Sequence, residues 1–404
     1  MNLNLCRLIA GLLVSYVHWT ALASPVSLCD STSKGLIPLS ELSGTYQGYE
    51  GRLYPDGSNI PPAGHDSAGK KSAGSFVPLD SFGVINPSSG VWILLSVGMS
   101  NTTQEFSNFL TNMVGDMTLH PSLRIIDGAQ GGQTAAKIRY DTAAFWNVIM
   151  TRLATRGLSA KQVRAIWLKE ANAGPTGGFP SASIKLRDDL LEDVRVAKRK
   201  FPNLEQVFLS SRIYAGYAST ALNPEPYAYE SGFAVRWVIE SQIGGNDSLN
   251  CNPDFGPVVA PWLAWGPYLW SDGVIPRAAD SLQWFCDDLN PTDGTHPSAT
   301  GRQKVSRLLE AFFKSSPYTV PWFLKSSGAC CVASTGNVDC DPGNGIDISD
   351  LSRLVDYLYV SFLPLCCKEE ANIDGSVDGN IDISDLSALV DYLYVSFTPP
   401  AACQ

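Results

Sequence analysis

The chain has 404 residues, 45% hydrophobic and 17% charged, with a net charge of −10. That is long enough for a large core and a smaller module beside it. It lacks the clustered positive charge that nucleic-acid binding needs.

The first 23 residues read as a secretory signal peptide: Arg7, an apolar run from Leu8 to Trp19, then Ala21-Leu22-Ala23 as a cleavage site. The run is shorter than the roughly 20 residues a membrane span needs. No later segment is long and apolar enough to span, so the expected location is secreted or cell-surface. Nine cysteines follow the signal, which suits an oxidising compartment. Cys251 and Cys286 are paired here as a disulfide. Five others crowd residues 330–367, and an odd count leaves one over or bridging chains. Zinc at the Cys-Cys doublets is disfavoured, because no histidine lies near them.

From about 30 to 325, short apolar runs alternate with helical patterns. The runs are GVWILLSVG (90–98), LRIIDG (123–128), VRAIWL (163–168) and EQVFLSS (205–211). Helical stretches fall at 141–156, 183–200 and 229–242, with another over Arg302 to Phe313. Such alternation predicts a parallel sheet covered on both faces, a three-layer α/β/α sandwich of flavodoxin-like type. Sites in such folds lie at the carboxyl ends of the strands.

The first strand ends in Gly98-Met99-Ser100-Asn101-Thr102. A serine on that turn exposes its hydroxyl beside backbone amides; the plainer reading is a helix cap by Ser100 or Thr102. The second strand leads into a glycine turn around Gly131 and Gly132, an oxyanion-hole candidate or a flexible turn. The third delivers Lys169-Glu170-Ala171-Asn172, with the Asn172 amide as a further oxyanion donor or part of a polar loop. Asp293-Gly-Thr-His296 precedes the last helix and reads as an acid–base pair or a helix-capping turn at Ser298 or Thr300. His65 reads as a surface residue in a Pro/Gly-rich loop, and His120 as a turn residue. The stretch 210–240, rich in Tyr, Arg and Glu, is a candidate substrate-side wall or insertion, or a packed aromatic loop.

Taken in order, Ser100, Gly132, Asn172, Asp293 and His296 resemble the SGNH (GDSL) esterase–lipase superfamily over most of 85–315. The resemblance implies a serine hydrolase. Ser100, His296 and Asp293 would be catalytic, and the Ser100 amide, Gly132 and Asn172 would form the oxyanion hole. The implied substrate is an ester, an acylated carbohydrate among the candidates, and catalysis needs no cofactor. Two departures stand out: Met99 replaces the family's usual Asp, and KEAN replaces Gly-x-Asn-Asp. They motivate the alternative of a catalytically inactive surface or carbohydrate-binding relative.

The tail (326–404) is a duplication. IDISDLSRLVDYLYVSF (346–362) returns as IDISDLSALVDYLYVSF (381–397). After position 335 there are twelve acidic and two basic residues, so the rest of the chain is neutral overall. Each copy (339–362 and 374–397) opens on a twelve-residue acidic loop. The second places Asp374, Ser376, Asp378, Asp382 and Asp385 at positions 1, 3, 5, 9 and 12, which is the pattern for a hard cation such as Ca2+. The first offers Asp339, Asp341, Asp347 and Asp350. Gly343 stands where a fifth side-chain ligand belongs, so its affinity should be lower. Leu351, Leu354, Val355, Leu358 and Tyr359 predict one apolar helix face. Two loop–helix copies with Asp at position 12 resemble the dockerin type I repeat, a small all-α calcium-loop module that implies attachment to a cohesin-like partner. The Cys doublets depart from that pattern.

Overall fold

The computed structural model describes Cys29 and residues 33–325, 330–331, 333–341, 343–360, 365 and 367–403. The expected signal peptide lies outside the described residues.

Five parallel strands form the main sheet: β1 (Trp92–Gly98), β2 (Leu123–Asp127), β3 (Val163–Lys169), β4 (Gln206–Leu209) and β5 (Trp262–Trp265). Their order is 2-1-3-4-5. Every residue of β1, β3, β4 and β5 is buried, as the mainly apolar strands of a doubly covered parallel sheet should be. The helices are α1 (Ala63–Gly74), α2 (Ser100–Met113), α3 (Ala135–Ile138), α4 (Ala144–Ala154), α5 (Ser181–Lys200), α6 (Tyr227–Ile243) and α7 (Ala299–Ser315). Two pairs make close neighbours, α2 with α7 and α5 with α6. Between α2 and the sheet, Phe106 stacks on Trp167 at 5.7 Å, and Phe313 of α7 meets Phe208 at 6.1 Å. Each large side chain so buried contributes about 1.5–3 kcal/mol.

The register aligns the strands' carboxyl ends. Ser96 lies beside Asp127, Gly98 beside Lys169, and Leu209 beside Trp265. The chain leaves β1 towards β2 on one side and returns to β3 on the other. A crevice therefore opens between the ends of β1 and β3. Gly98 sits at its floor, where a Cβ would fall 2.3 Å from the Lys169 carbonyl oxygen and 2.4 Å from Thr102 Oγ1.

Two expectations fail. Strand β5 was not among the expected runs. The Pro/Gly-rich segment around His65 is a helix, α1, because its small residues let it lie flat on β5. A Cβ on Gly69 would fall 2.2 Å from the Trp262 ring.

The expected Cys251–Cys286 disulfide is also wrong. Cys286 bonds Cys29 across 257 residues, with Cα atoms 5.4 Å apart. Cys251 remains a free, half-buried thiol in the loop before β5. It lines a cavity at the amino edge of the sheet with His65 and Trp262, whereas Cys286 opens the turn that leads to the Asp293–His296 loop. A disulfide tolerates a Cα separation of at most about 7 Å.

In the tail, helices α8 (Ile348–Val355) and α9 (Ile383–Val390) each run into a π-turn, Asp356–Val360 and Asp391–Val395. Val338, Leu354, Ala371, Ile373 and Leu389 form a small separate core, with Leu351 and Leu358 packed against it. Val355 and Tyr359 point outward instead, because so small a core covers only a narrow stripe of the helix. The doublets split between partners: Cys330 bonds Cys367 and Cys331 bonds Cys403. Cys340 is disulfide-bonded too. Oxidised sulfurs do not serve as zinc thiolates. Among the described residues, no helix is long and apolar enough to cross a membrane.

Candidate active site

Ser100 is the first residue of α2, and Met99 before it makes no side-chain cap. The helix therefore keeps its leading amides free of a capping oxygen. Neither expected cap forms: the Ser100 hydroxyl lies 2.8 Å from His296 Nε2, and Thr102 Oγ1 donates to the Lys169 carbonyl at 2.6 Å, tying α2 to β3.

His296 Nδ1 lies 2.8 Å from Asp293 Oδ2. Asp293 Oδ1 accepts from the amides of Thr295 (2.8 Å) and His296 (3.0 Å). Burial pushes this carboxyl up, but those amides and the imidazole outweigh it and hold Asp293 below the ordinary carboxylate range. An ionised carboxylate only accepts, so the His296 proton sits on Nδ1. Nε2 is then left to accept from Ser100.

The loop carrying this pair is tightly held. A Cβ on Gly294 would meet the Tyr217 carbonyl at 1.9 Å, and φ there is +57°. Asn101 Nδ2 donates to the Thr295 carbonyl at 3.0 Å and Ser219 N to the Asp293 carbonyl at 3.0 Å. Asn101 follows the serine directly, so one buried side chain links the two halves of the site. Ser298 caps α7, accepting from Gly301 N at 3.4 Å.

The glycine turn after β2 is tied to the end of β1 by Gln130 N donating to the Gly98 carbonyl at 2.9 Å. A Cβ on Gly131 would lie 3.9 Å from the Cβ of Ser100, and Gly132 adopts φ +74°. Asn172 is held at both ends: its Oδ1 accepts from Ala136 N at 3.0 Å and its Nδ2 donates to Asp189 Oδ2 at 2.7 Å. One Nδ2 hydrogen remains for another acceptor. Ser100, Gly132, Asn172 and His296 all line one cavity of about 730 Å³; Asp293 backs the histidine from behind.

The rest of KEAN faces inward. Lys169 Nζ pairs with Glu105 at 2.5 Å, both side chains fully buried. Glu170 is buried beside Asp193; burial pushes its carboxyl up to about 8 although the Ala171 amide pulls it down. The other two described histidines lie at the opposite edge of the sheet. His65 stacks on Trp262 at 5.0 Å and His120 against Trp92 at 4.4 Å, each ring against the first residue of a strand.

Sequence reasoning missed Asn101, Lys185 and Asp189, and reached Arg212 only as part of the candidate wall 210–240. Arg212 lies just past β4 and lines the cavity with Leu222 and Asn223. The rule that strand ends carry function would have found it. In the same stretch, Tyr214 and Tyr217 are buried as packing, so 210–240 is part wall and part core. Asp189 projects from α5, and no local pattern joins it to Asn172.

No protein family and no curated protein matches the chain. Among solved structures, the YxiM protein of Bacillus subtilis is similar at 12% identity, with a TM-score of 0.32 over 57% of this chain and 58% of that one, under two thirds of its length. The periplasmic domain of a lipopolysaccharide acetyltransferase from Salmonella ser. Paratyphi A is similar at 12% identity, with a TM-score of 0.30 over 55% and 84%. Likeness at that level establishes neither family nor chemistry.

Proposed function

We propose that this chain is a secreted serine hydrolase of SGNH type that cleaves ester bonds, with acylated carbohydrate as the candidate substrate. The observation that carries the proposal is the hydrogen-bonded line from Ser100 through His296 to Asp293, opening on a cavity at the carboxyl edge of the sheet. His296 takes the hydroxyl proton as Ser100 attacks the carbonyl carbon. Asp293 keeps the imidazole in the required tautomer and stabilises the imidazolium. The amide of Ser100, that of Gly132 and the spare Nδ2 hydrogen of Asn172 are the candidate donors to the oxyanion. His296 then protonates the leaving alcohol, and water attacks the acyl-serine by the same route in reverse.

Hydrolysis of p-nitrophenyl acetate by wild type and by Ser100→Ala tests this. Loss of hydrolysis in the variant is expected, and equal rates reject the reading. A second reading, an inactive surface or carbohydrate-binding relative, draws on Met99 and on the Asn172 amide being already engaged by Asp189.

For the tail, the proposal is Ca2+ binding and attachment to a cohesin-like partner. The donors in both loops are oxygens only. Asp350 accepts from the amides of Asp339 (3.0 Å) and Asp347 (2.8 Å), and Asp385 from those of Asp374 (3.2 Å) and Asp382 (2.9 Å), so each loop closes end to end. Ca2+ would be held by Asp339, Asp341, Asp347 and Asp350, and by Asp374, Ser376, Asp378, Asp382 and Asp385. Calcium would supply the positive charge that clustered carboxylates call for. The two copies also expose matching apolar side chains, Ile348, Tyr359 and Val360 against Ile383, Tyr394 and Val395. A calcium titration of the full chain that changes neither melting nor helicity rejects the metal reading.

A further inference from the structure

Among the described residues, no carboxylate side chain lines the cavity, whereas Lys137, Lys185 and Arg212 do. Lys137 Nζ is engaged by the Gly132 carbonyl at 2.7 Å. Lys185 is different: its side chain is 61% exposed, and its one acidic contact is Asp189 Oδ2 at 2.8 Å. That carboxylate is shared with Arg139 and Asn172, so a single negative charge serves two cations and an amide.

Arg212 is 1% exposed, yet its Nε has no hydrogen-bond partner and its NH2 reaches the Thr295 carbonyl only at 3.4 Å. The acids around it are committed elsewhere. Glu105 holds Lys169, Glu225 accepts from Ala215 N, Tyr229 N and Trp270 Nε1, and Asp293 holds His296. Glu170 accepts from the Ala171 amide, and burial pushes its carboxyl up to about 8. A buried guanidinium with unused donors is costly unless an acceptor arrives.

Resting on the ester-cleaving reading, we infer that the substrate carries a carboxylate, received by Arg212 in the wall and Lys185 at the rim. The planar fork of arginine suits a carboxylate better than it suits sugar hydroxyls. The cavity's about 730 Å³ leaves room for such a group beyond a short acyl chain. The ester is thus of an acidic class, such as an acylated acidic saccharide or a dicarboxylate half-ester.

The test compares kcat/KM for mono-p-nitrophenyl succinate and its neutral methyl ester, in wild type and in Lys185→Glu. Lys185 is chosen because its side chain is exposed, and the melting temperature of Lys185→Glu, read beside the kinetics, checks that the fold is kept although the pair with Asp189 is lost. Wild type should prefer the acid about tenfold at low salt. The preference should shrink in about 0.5 M NaCl and invert in Lys185→Glu. No preference in wild type, or a ratio indifferent to Lys185→Glu, overturns the inference while leaving the hydrolase reading intact. If wild type turns over neither ester, the hydrolase reading fails, and the subsite is judged by calorimetry on Ser100→Ala with succinate against succinamide. Succinate binding that Lys185→Glu abolishes supports it; no succinate binding overturns it.

Discussion

The two edges of the sheet use histidine in opposite ways. At the carboxyl edge, His296 has a carboxylate on Nδ1 and a serine hydroxyl on Nε2, and its ring faces a cavity. At the amino edge, His65 lies flat on Trp262 and its Nε2 meets the Leu263 carbonyl at 2.7 Å. A ring that donates to a carbonyl and lacks a carboxylate partner is a packing element. A ring between an acid and a hydroxyl can move a proton. The partners decide the role, and the strand direction decides which partners are within reach.

The widest separation between the edges should come from Ser100→Ala, which lowers kcat by about 10⁴-fold or more if the line of contacts is catalytic. Its melting temperature should stay within a few degrees of wild type, since only an exposed-side hydroxyl is lost. Next in size is Asn172→Ala. Removing one oxyanion donor typically costs about 10²–10³-fold in kcat. A loss confined to KM would instead mark Asn172 as a binding residue, and steady-state kinetics separates the two.

At the amino edge the expected effect is on stability. His65→Ala should lower the unfolding free energy by about 1–3 kcal/mol through the cavity left beside Trp262 and the lost bond to Leu263. Its kcat/KM should match that of wild type. Denaturant unfolding and ester hydrolysis on the same preparation check both halves. A catalytic loss without destabilisation would break the division between the edges.

The sequence was most legible where one local rule suffices. Strands β1 and β3 are seven-residue, mainly apolar runs whose ends could be inspected for Ser100 and Asn172. Strand β5 was hidden because WLAW is only four residues long and sits among prolines and further tryptophans. Helix α1 was hidden because its glycines argue against a helix until the Trp262 ring that Gly69 accommodates is known. The disulfide failed for a related reason: Cys29 and Cys286 are 257 residues apart, and only the fold brings them together. In the site, Ser100, Asp293 and His296 lie at strand and helix ends, where chain order guides the eye. Arg212 and Asp189 act through space: Arg212 reaches Thr295, and Asp189 holds Arg139 and Asn172 from other elements.

The smallest predicted effect also separates the edges, by sign. Burial lowers the His65 pKa in the folded state, although Leu263 and Asp66 oppose it. The folded protein then binds that proton less readily than the unfolded chain. The contribution is complete above the unfolded value of about 6.5 and is lost as pH falls below it. Glu170 runs the other way. Its folded pKa of about 8 lies above the unfolded value of about 4.3, so its contribution is full in acid and is lost as pH rises through that interval. The two slopes partly cancel in wild type, and difference curves separate them. Relative to wild type, His65→Gln should gain stability as pH falls from 7 to 5, whereas Glu170→Gln should gain it as pH rises from 5 to 8. Melting temperatures across that range, taken as variant minus wild type, should tilt in opposite directions. Parallel tilts would mean that the buried acid behind the site and the half-buried ring at the far edge are not the groups that set the pH dependence.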